Sequence, residues 1–331
     1  MDTFRGYVVD KAEDGAVSGQ LKFLTCDQLD AGDVTIRVHY SSVNYKDALA
    51  ATGLGKIIRR FPCVGGIDLA GEVITSADAR YKPGDKVIAL GFDIGVSHHG
   101  GYAEIARIPA DWIVPLPPGL DLLESMALGT AGFTAGLAFD RMERAGLMPA
   151  SGPVIVTGAT GGVGSLAIDM LANKGYEVVA LTRKESESDY LKSIGASAVK
   201  LSTTVDLANI RPLETAQWAG AIDNLGGPVL SWLIASMKQS GIVASIGNAA
   251  SPKLDSTVFP FILRGVSLLG IDSGNLSFRV REGVWKRLAG DLKPRHLLSS
   301  TRVIDLATLP SCFQEFTVGQ VKGRTVVRII G

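Results

Sequence analysis

The sequence predicts an α/β protein in which a β-rich part comes first and a doubly wound parallel sheet follows. In roughly the first 120 residues, short strand-like stretches are separated by Pro/Gly turns. From Pro153 onward, short apolar runs alternate with helical stretches, as in a parallel sheet that is covered on both faces. The chain also has 39 glycines among 331 residues, which exceeds the roughly 7% of ordinary proteins.

The composition excludes several classes of protein. Lys plus Arg and Asp plus Glu each total 33, so the formal net charge is zero, which argues against nucleic-acid binding through a broad basic field. With 46% hydrophobic residues, the chain is not of the disordered class. The first residues include Asp2 and Arg5 and no apolar stretch. We therefore expect no secretory signal and a cytoplasmic location.

Neither a membrane span nor a metal site is expected. Residues 145–168 carry no charge, but they include Pro149, Pro153 and several glycines, and we interpret them as a loop, a buried strand and a turn. The three cysteines are far apart and form no Cys-x-x-Cys pair, which argues against a disulfide framework or a cysteine-based zinc site. The adjacent His98 and His99 would diverge on an extended segment, so we interpret them as part of a solvated loop.

The strands of the first part are predicted from alternation and turns. Residues 34–40 alternate at period two, as a half-buried strand does. Residues 71–74 and 101–106 are further strand candidates, and residues 81–90 place a Pro-Gly turn before a strand. Such a succession is typical of a barrel-like β domain.

The second part is predicted as one helix followed by buried strands and helices. Residues 122–144 are helical in composition and rich in small residues. The predicted strands that follow are residues 153–157, 177–181, 198–201, 220–224 and 241–247, and the predicted helices are residues 163–174 and 188–194. The chain ends in another strand candidate, residues 324–330, which we expect to return to the first part.

The strongest local signal is the glycine-rich turn after the first of these buried strands. It comprises Thr160, Gly161, Gly162, Val163 and Gly164, and its place between a strand and a helix is typical of dinucleotide binding. Gly161 and Gly162 are predicted to form the turn, and Gly164 to let the helix pack on the strand. The first-turn N–H groups and the helix dipole would hold a pyrophosphate. The alternative is a plain strand-to-helix turn.

The end of the next strand predicts which dinucleotide binds. NAD-binding proteins place Asp or Glu there for the ribose 2′-OH, whereas this chain has Thr182, Arg183 and Lys184. Cationic side chains attract a 2′-phosphate, and arginine can bind it with two N–H groups. We therefore predict NADPH, with a weaker contribution from Lys200 at the end of the following strand. The alternative is that Arg183 and Lys184 belong to a solvated loop.

Several tracts resemble the medium-chain dehydrogenase/reductase superfamily along nearly the whole chain. Besides the glycine turn, they are Ser42-Val-Asn-Tyr-Lys-Asp-Ala, Gly65-Gly-Ile-Asp-Leu-Ala-Gly, Tyr190-Leu-Lys-Ser-Ile-Gly-Ala, Arg211-Pro-Leu-Glu and Phe261-Ile-Leu-Arg-Gly-Val-Ser-Leu-Leu-Gly-Ile-Asp-Ser. The likeness is to the zinc-free, quinone-oxidoreductase-like branch, and within it to the NADPH-dependent acryloyl-CoA reductases. The turn is specific only to the superfamily, whereas the tracts at Asn44 and Phe261 are specific to the subgroup.

The resemblance implies a domain organisation and agrees with the absence of a metal. It implies a GroES-like, β-rich catalytic domain at residues 1–122 and 297–331, and a Rossmann NADPH-binding domain, the doubly wound parallel sheet, at residues 123–296. Zinc-dependent relatives carry Gly-His-Glu near the position of Gly66-Ile-Asp and a cysteine near Asn44, and this chain has neither ligand.

The same resemblance implies a reaction and its residues. A zinc-free site suits transfer of hydride to the β-carbon of an activated alkene, with hydrogen-bond donors for the enolate. We predict Asn44, Tyr45, Lys46 and Asp47 as catalytic. Tyr45 would donate to a cofactor or substrate oxygen, Lys46 and Asp47 would form an orienting pair, and Asn44 would fix the nicotinamide or the loop. Further predicted cofactor contacts are Ile246, Ile262 and Ser273. The proton donor stays unassigned, with solvent as one candidate.

The predicted function is the NADPH-dependent reduction of acryloyl-CoA to propionyl-CoA. Two alternatives stay open: a quinone or short-enone oxidoreductase, because a fold does not fix a substrate, and a non-catalytic NADPH-binding protein. Basic residues are expected to meet the CoA phosphates; the candidates by charge alone are Lys56, Arg59, Arg60 and Arg264. The apolar tract from Phe261 to Ser273 is predicted as an edge strand. Relatives commonly dimerise there, so a homodimer is expected.

Overall fold

The computed structural model describes residues 3–330 and divides into two compact units. The first unit contains the described residues of Met1–Thr130, Gly274–Ala289 and Leu297–Gly331, and the second contains Ala131–Ser273 and Gly290–His296. In chain order the strands are β1 (Phe4–Lys11), β2 (Val17–Leu24), β3 (Val34–Ser42), β4 (Cys63–Val64), β5 (Asp68–Ser76), β6 (Lys86–Leu90), β7 (Ile105–Ile108), β8 (Ile113–Pro115), β9 (Val154–Val156), β10 (Val178–Thr182), β11 (Ala198–Leu201), β12 (Trp218–Asp223), β13 (Met237–Ser245), β14 (Ser267–Gly270), β15 (Thr301–Asp305) and β16 (Arg324–Arg328). The α-helices are α1 (Tyr45–Thr52), α2 (Leu122–Arg144), α3 (Gly162–Asn173), α4 (Ser188–Ser193), α5 (Gly227–Ala235), α6 (Phe259–Arg264), α7 (Phe278–Ala289) and α8 (Leu309–Thr317).

The first unit is built on two sheets. One has three strands in the order β2-β1-β4, and the other has seven in the order β15-β16-β3-β5-β6-β8, with β7 also paired to β3. The alternation predicted for residues 34–40 is confirmed, since Val34, Ile36 and Val38 are fully buried while Arg37 is exposed. The C-terminal strand β16 pairs antiparallel with β3, so it lies in this first unit.

The second unit is a six-stranded parallel sheet in the order β11-β10-β9-β12-β13-β14. Val154, Ile155 and Val156 of β9 are fully buried, as expected for a central strand covered on both faces. The strand order reverses between β9 and β12. In a doubly wound sheet, ligands bind at the carboxyl ends of the strands beside this switch point.

Two predicted strands differ from the structure. The strand expected at residues 101–106 is Ile105–Ile108, because residues 101–104 form bends with a single bridge between Ala103 and Gly6. The tract from Phe261 to Ser273 is not one strand. Its start belongs to α6, which ends at Arg264 and is capped by Gly265 with a left-handed φ of +61°, and only Ser267–Gly270 forms the edge strand β14.

Helix α2 begins and ends where the sequence predicts, but it is interrupted at Gly129, whose φ of 51° and ψ of −155° are not helical. In the described part of the chain, α2 alone has the length and apolar composition of a membrane span. However, 83% of its apolar window is buried inside the structure, as in a core helix.

Helix α7 joins the first unit through a buried arginine. Arg281 is fully buried; its Nη2 donates to the carbonyl oxygen of Trp112 at 3.0 Å, and its guanidinium carbon lies 4.8 Å from the ring centroid of Phe92. The predicted domain boundaries, which assign this segment to the second domain, remain a proposal.

Candidate functional site

The glycine-rich turn connects β9 to α3 in the second unit. Gly161 is the N-cap of α3, which is 12 residues long. The left-handed residue of the turn is Gly158, with φ +57°, whereas Gly161 has an extended conformation with φ −75° and ψ 171°. Gly161 takes part in the turn, because its N–H donates to the carbonyl oxygen of Gly158 at 3.0 Å, but its own backbone geometry is one that any residue adopts.

Gly164 is required by a close approach of backbone to backbone. A Cβ atom on Gly164 would lie 2.4 Å from the carbonyl oxygen of Gly158 and 2.9 Å from the Cα of Ala159. The first turn of α3 thus packs on the turn itself, and the packing on the strand that the sequence suggested is not the constraint. Thr160, Gly161, Gly162 and Val163 lie at this helix N-terminus, where N–H groups and the helix dipole favour an anion.

The cationic residues predicted for a 2′-phosphate lie at the same edge of the sheet. Thr182 ends β10, and Arg183 follows it with an exposed side chain. Leu181 of β10 pairs in parallel with Lys200 of β11, which brings Lys200 to the neighbouring strand end. Thr182 is buried, and its Oγ1 accepts a hydrogen bond of 3.0 Å from the backbone N–H of Lys184. Its hydroxyl therefore shapes the loop that carries the two cations.

A buried polar group at the switch point was missed by the sequence analysis. Asp223, at the end of β12, accepts hydrogen bonds from Thr157 Oγ1 at 2.7 Å and from Gly226 N at 2.8 Å. The side-chain amide of Asn224 donates to the carbonyl oxygen of Thr157 at 2.7 Å. Burial raises the pKa of Asp223. An Asp-Asn pair at the end of a predicted central strand was the signal that could have revealed this group.

The other three predicted cofactor contacts have different surroundings. Ile246 follows β13, and its N–H donates to the carbonyl oxygen of Asp223 at 2.9 Å, so it lies at the switch-point edge. Ser273 Oγ accepts a hydrogen bond of 2.8 Å from Thr134 Oγ1. Ile262 lies on α6 with 67% of its surface exposed. All three assignments remain proposals.

In the first unit, the Asn44-Tyr-Lys-Asp tract forms the beginning of α1. Asn44 is the N-cap, and its N–H and its side-chain amide donate to Asp47 Oδ2 at 2.9 and 3.1 Å. The other oxygen of Asp47 accepts from Ile67 N at 3.0 Å. Asn44 is 9% exposed and Asp47 is 3% exposed, whereas Tyr45 is 47% exposed. Lys46 is exposed as well.

This geometry changes the roles that the four residues can have. The predicted Lys46–Asp47 pair is wrong, because Asp47 turns inward to cap the helix while Lys46 points to the surface. Asn44 is likewise enclosed by hydrogen bonds within the protein. Of the predicted catalytic residues, Tyr45 and Lys46 are therefore the two that have access to a ligand.

Behind Asn44 and Asp47 lies a second buried carboxylate with a buried arginine. Asp68 is fully buried and accepts from Ser42 N at 2.9 Å and from the Asn44 amide at 3.1 Å. Arg324 is 2% exposed and donates to Ser42 Oγ at 2.7 Å and to Asn44 Oδ1 at 3.3 Å. We call Ser42, Asn44, Asp47, Asp68 and Arg324 the buried network. The sequence did not indicate a role in the site for Ser42, Asp68 or Arg324, because only the fold brings their strands together.

Within the buried network, Asp47 has a pKa that is raised into the neutral range. Burial, and next the negative charge of Asp68, raise the pKa of Asp47 to about 7. Burial lowers the pKa of Arg324. Tyr102 donates its hydroxyl to the carbonyl oxygen of Ser42 at 3.0 Å, and burial raises its pKa well above 10. Asp47 is therefore the group here that titrates near neutral pH.

The donor set at this place does not fit zinc. The oxygens of Asp47 and Asp68 accept hydrogen bonds from backbone and side-chain donors, and Ile67 supplies only its N–H. Within residues 3–330, no group of three or more His, Cys, Asp or Glu side chains is arranged to hold a metal ion.

His98 and His99 are structural residues. His98 is 8% exposed, and its ring nitrogens face the carbonyl oxygens of His99 at 3.0 Å and Ala31 at 3.2 Å. His99 Nδ1 accepts from Val64 N at 3.0 Å. The prediction of a solvated loop is wrong, because these rings satisfy backbone groups of neighbouring segments.

Three of the four basic residues considered for CoA have partners in the protein. Arg60 is paired with Asp30, and Arg59 lies 3.7 Å from Asp93. Arg264 donates to three backbone carbonyl oxygens, those of Ala235, Met237 and Glu214. Arg264 therefore anchors α6.

Comparison with known proteins agrees with this two-part construction. The family model for the alcohol dehydrogenase GroES-like domain matches residues 30–118, and the model for zinc-binding dehydrogenase matches residues 162–290. An acrylyl-CoA reductase, AcuI, from Ruegeria pomeroyi is 46% identical over 327 residues, which cover 98% of this chain and 99% of that protein. A putative quinone oxidoreductase, YhfP, from Bacillus subtilis is 45% identical over 95% of each chain.

Solved structures give the same result. The Salmonella enterica oxidoreductase yhdH in complex with NADP has a TM-score of 0.96 and 44% identity, over 98% of this chain and all of that chain. The B. subtilis yhfP structure, with NAD bound, has a TM-score of 0.96 and 43% identity, over 99% of this chain and all of that one. The chain therefore belongs to the medium-chain dehydrogenase/reductase superfamily and is an oxidoreductase of its branch of acrylyl-CoA reductases and quinone-oxidoreductase-like proteins.

Proposed function

We propose that this protein catalyses the NADPH-dependent reduction of acryloyl-CoA to propionyl-CoA, with hydride delivered to the β-carbon. The observation that carries the proposal is the end-to-end similarity to the R. pomeroyi acrylyl-CoA reductase at 46% identity. A location in the cytoplasm remains part of the proposal.

The cofactor is NADPH. The N-terminus of α3, with Thr160, Gly161, Gly162 and Val163, fits the pyrophosphate because Gly164 keeps the helix close to the turn. Arg183, with Lys184 and Lys200, supplies positive charge at the strand ends where a 2′-phosphate is recognised. The Salmonella relative was solved with NADP, whereas the B. subtilis relative was solved with NAD, so Arg183 is the residue on which the preference is tested.

In the proposed reaction, side chains of this protein stabilise the negative charge that develops on the substrate. When bound, NADPH supplies a hydride to an electron-poor carbon. As the alkene accepts it, negative charge develops on the thioester oxygen, and donors placed there lower the barrier. The exposed Tyr45 hydroxyl and Lys46 ammonium in the first turn of α1 are the proposed donors. The proton at the α-carbon comes from one of these groups or from solvent.

A substrate panel tests the proposal. Purified protein is mixed with NADPH and, separately, with acryloyl-CoA, crotonyl-CoA and a soluble quinone, and loss of reduced-nicotinamide absorbance is followed. We expect kcat/KM to be highest for acryloyl-CoA. Turnover of the quinone without turnover of acryloyl-CoA would reject this substrate.

The second candidate is a quinone oxidoreductase. The similarity to YhfP, 45% over nearly the whole chain, favours it almost as strongly. The panel separates the two, and cofactor binding without turnover of any acceptor would instead support a non-catalytic NADPH-binding protein.

A further inference from the structure

The buried network holds two carboxyl groups and one guanidinium in the core of the first unit. Asp68 and Asp47 are 0% and 3% exposed, and Arg324 is 2% exposed. Charged groups are rarely buried to this degree unless they are paired. One arginine cannot neutralise two carboxylates, so the network carries one excess negative charge whenever both are ionised.

Arg324 reaches the start of α1 from the C-terminal strand. Its Nη2 donates to Ser42 Oγ at 2.7 Å, and its Nη1 donates to Asn44 Oδ1 at 3.3 Å. Its Nε donates to the carbonyl oxygen of Ala127 at 2.8 Å. A single guanidinium therefore fixes the end of β3, the N-cap of α1 and the chain just before the break in α2.

Asp68 fixes the same segments with its carboxylate. It accepts from Ser42, from the Asn44 amide, and from the N–H of Thr130 at 2.9 Å. Gly129 lies directly against the network, since a Cβ there would be 2.6 Å from Ser42 Oγ and 2.8 Å from Asp68 Oδ2. The interruption of α2 at Gly129 thus provides the space that the network occupies.

We propose that Asp68 and Arg324 are positioning residues, which hold Asn44 and so fix the first turn of α1 that presents Tyr45 and Lys46. This inference rests on the proposed function, because Tyr45 and Lys46 are the donors assigned to the reaction there. Neither Asp68 nor Arg324 has access to a ligand, so both act through Asn44 and Ser42.

The opposite charges of Asp68 and Arg324 should affect how activity depends on pH. The groups that interact electrostatically with Asp47 are Asp68, Arg324 and Tyr102. Tyr7 also lines the small cavity beside Asp47, and burial raises the pKa of both tyrosines, so they stay neutral near pH 7. Ionised Asp47 accepts hydrogen bonds from Asn44 N, from the Asn44 side-chain amide and from Ile67 N. The protonated form accepts fewer. Activity should therefore fall as the pH drops through about 7.

The experiment measures the decrease of kcat at acidic pH, called the acid limb, in two variants. Their substitutions change the charge near Asp47 in opposite directions. Arg324→Gln removes a positive charge near Asp47 and should move the limb to higher pH, whereas Asp68→Asn removes a negative charge and should move it to lower pH. Each shift is expected to be about one pH unit, the effect of a nearby buried charge. Arg324→Lys keeps the charge and should leave the limb in place.

The size of kcat provides the second part of the test. In Arg324→Lys, the flexible ammonium cannot reproduce the planar set of donors. We expect kcat to fall about tenfold or more, as a misplaced group does, with little change in the KM for NADPH. Arg328→Gln, on the same strand with an exposed side chain, is the matched control and should leave both parameters unchanged.

A readout without turnover separates this inference from the proposed function. The carboxyl ¹³C resonance of Asp47, in protein labelled at aspartate, reports its titration in wild type and in each variant that folds. Opposite displacements in Asp68→Asn and Arg324→Gln support the inference whichever substrate is turned over. If Arg324→Gln does not fold, a downward displacement in Asp68→Asn with none in Arg324→Lys supports it. A midpoint that moves in neither direction, or in the same direction for both charge-removing variants, overturns it.

Discussion

Asp47 caps helix α1 and is also a buried group whose charge changes near neutral pH. As the acceptor for Asn44 and Ile67, it is most useful when ionised, yet burial and the neighbouring Asp68 oppose its ionisation and raise its pKa to about 7. The consequences can be measured in stability as well as in activity.

The stability contribution of Asp47 should decrease as the pH rises. Its pKa is about 7 in the folded protein against an ordinary value of 3.8, so the folded state binds the proton more tightly. The contribution is complete below about pH 4 and is lost as the pH passes through 7. Between about pH 5 and pH 8, the free energy of unfolding of wild type, measured relative to Asp47→Asn, should fall by about 3 kcal/mol. If the free energies of unfolding of the two proteins changed with pH in parallel over this range, the raised pKa would be contradicted.

Arg183 should determine the preference between the two nicotinamide cofactors. Replacement of Arg183 by Glu puts a negative charge at the strand end where a 2′-phosphate is expected. The ratio of Kd for NADH to Kd for NADPH should therefore fall by at least about tenfold, the equivalent of one charge-assisted contact. Titration of cofactor fluorescence measures both constants, and Lys192→Glu, on α4, is a control of the same charge change. An unchanged ratio would show that Arg183 belongs only to a solvated loop.

The sequence located the Asn44-Tyr-Lys-Asp tract but not the roles of its residues. The sequence predicts four catalytic residues here, whereas in the structure the tract begins a helix in which Asn44, as N-cap, and Asp47 share the inner side and Tyr45 and Lys46 face outward. A Ser/Thr/Asn/Asp followed three residues later by an acidic residue was a capping signal available in the sequence. The partners Asp68 and Arg324, 24 and 280 residues away from Asn44, are joined to it only by the tertiary fold.

At the scale of elements, the glycine-rich turn is limited by steric contact. Gly164 has no room for a methyl group, since its Cβ would lie 2.4 Å from the carbonyl oxygen of Gly158. The helix N-terminus and the turn therefore form one unit whose spacing sets the anion subsite. Elements of this kind are predictable from sequence because strand, turn and helix are consecutive.

Gly164→Ala should weaken NADPH binding and destabilise the protein. The first turn of α3 must move away from the turn, so we expect a loss of about 1–3 kcal/mol in the free energy of unfolding, typical of overpacking. Gly283→Ala is the matched control, because a Cβ there meets nothing within 4 Å in helix α7, and alanine in a helix interior is stabilising. Calorimetry and cofactor titration measure both effects. Equal melting temperatures and NADPH affinities for the two variants would refute the steric account.

In the apolar tract from Phe261 to Ser273, hydrophobic periodicity does not distinguish a helix from a strand. Its hydrophobic residues predicted one strand, but a six-residue helix precedes the four-residue strand β14. Short apolar runs fit a buried strand or a buried helix equally well, and Gly265 with its left-handed φ decides between them.

For the whole molecule, the doubly wound sheet was predictable, whereas the tertiary contacts of α7 were not. The order β11-β10-β9-β12-β13-β14 follows from consecutive strand–helix repeats. By contrast, the buried residues of α7 include Arg281, whose partners Trp112 and Phe92 are far away in sequence.

We propose that the expected homodimer forms through the edge of the second unit. Strand β14 ends the six-stranded sheet, and Phe259, Ile262 and Leu263 on the preceding α6 are 45%, 67% and 57% exposed. Exposed apolar groups beside an unpaired edge strand favour pairing with a second copy. We expect light scattering to give twice the chain mass for wild type and the chain mass for Ile262→Glu. A monomeric wild type would rule out this interface.

In the proposed reaction, hydride passes from NADPH to the β-carbon of acryloyl-CoA. The most direct measurement uses NADPH deuterated at the reacting C4 position and proton NMR of the acyl-CoA product. We expect propionyl-CoA with one deuterium in the methyl group, at the former β-carbon, and none transferred to the α-carbon. Deuterium at the α-carbon, or no propionyl-CoA from a protein that oxidises NADPH with a quinone, would contradict it.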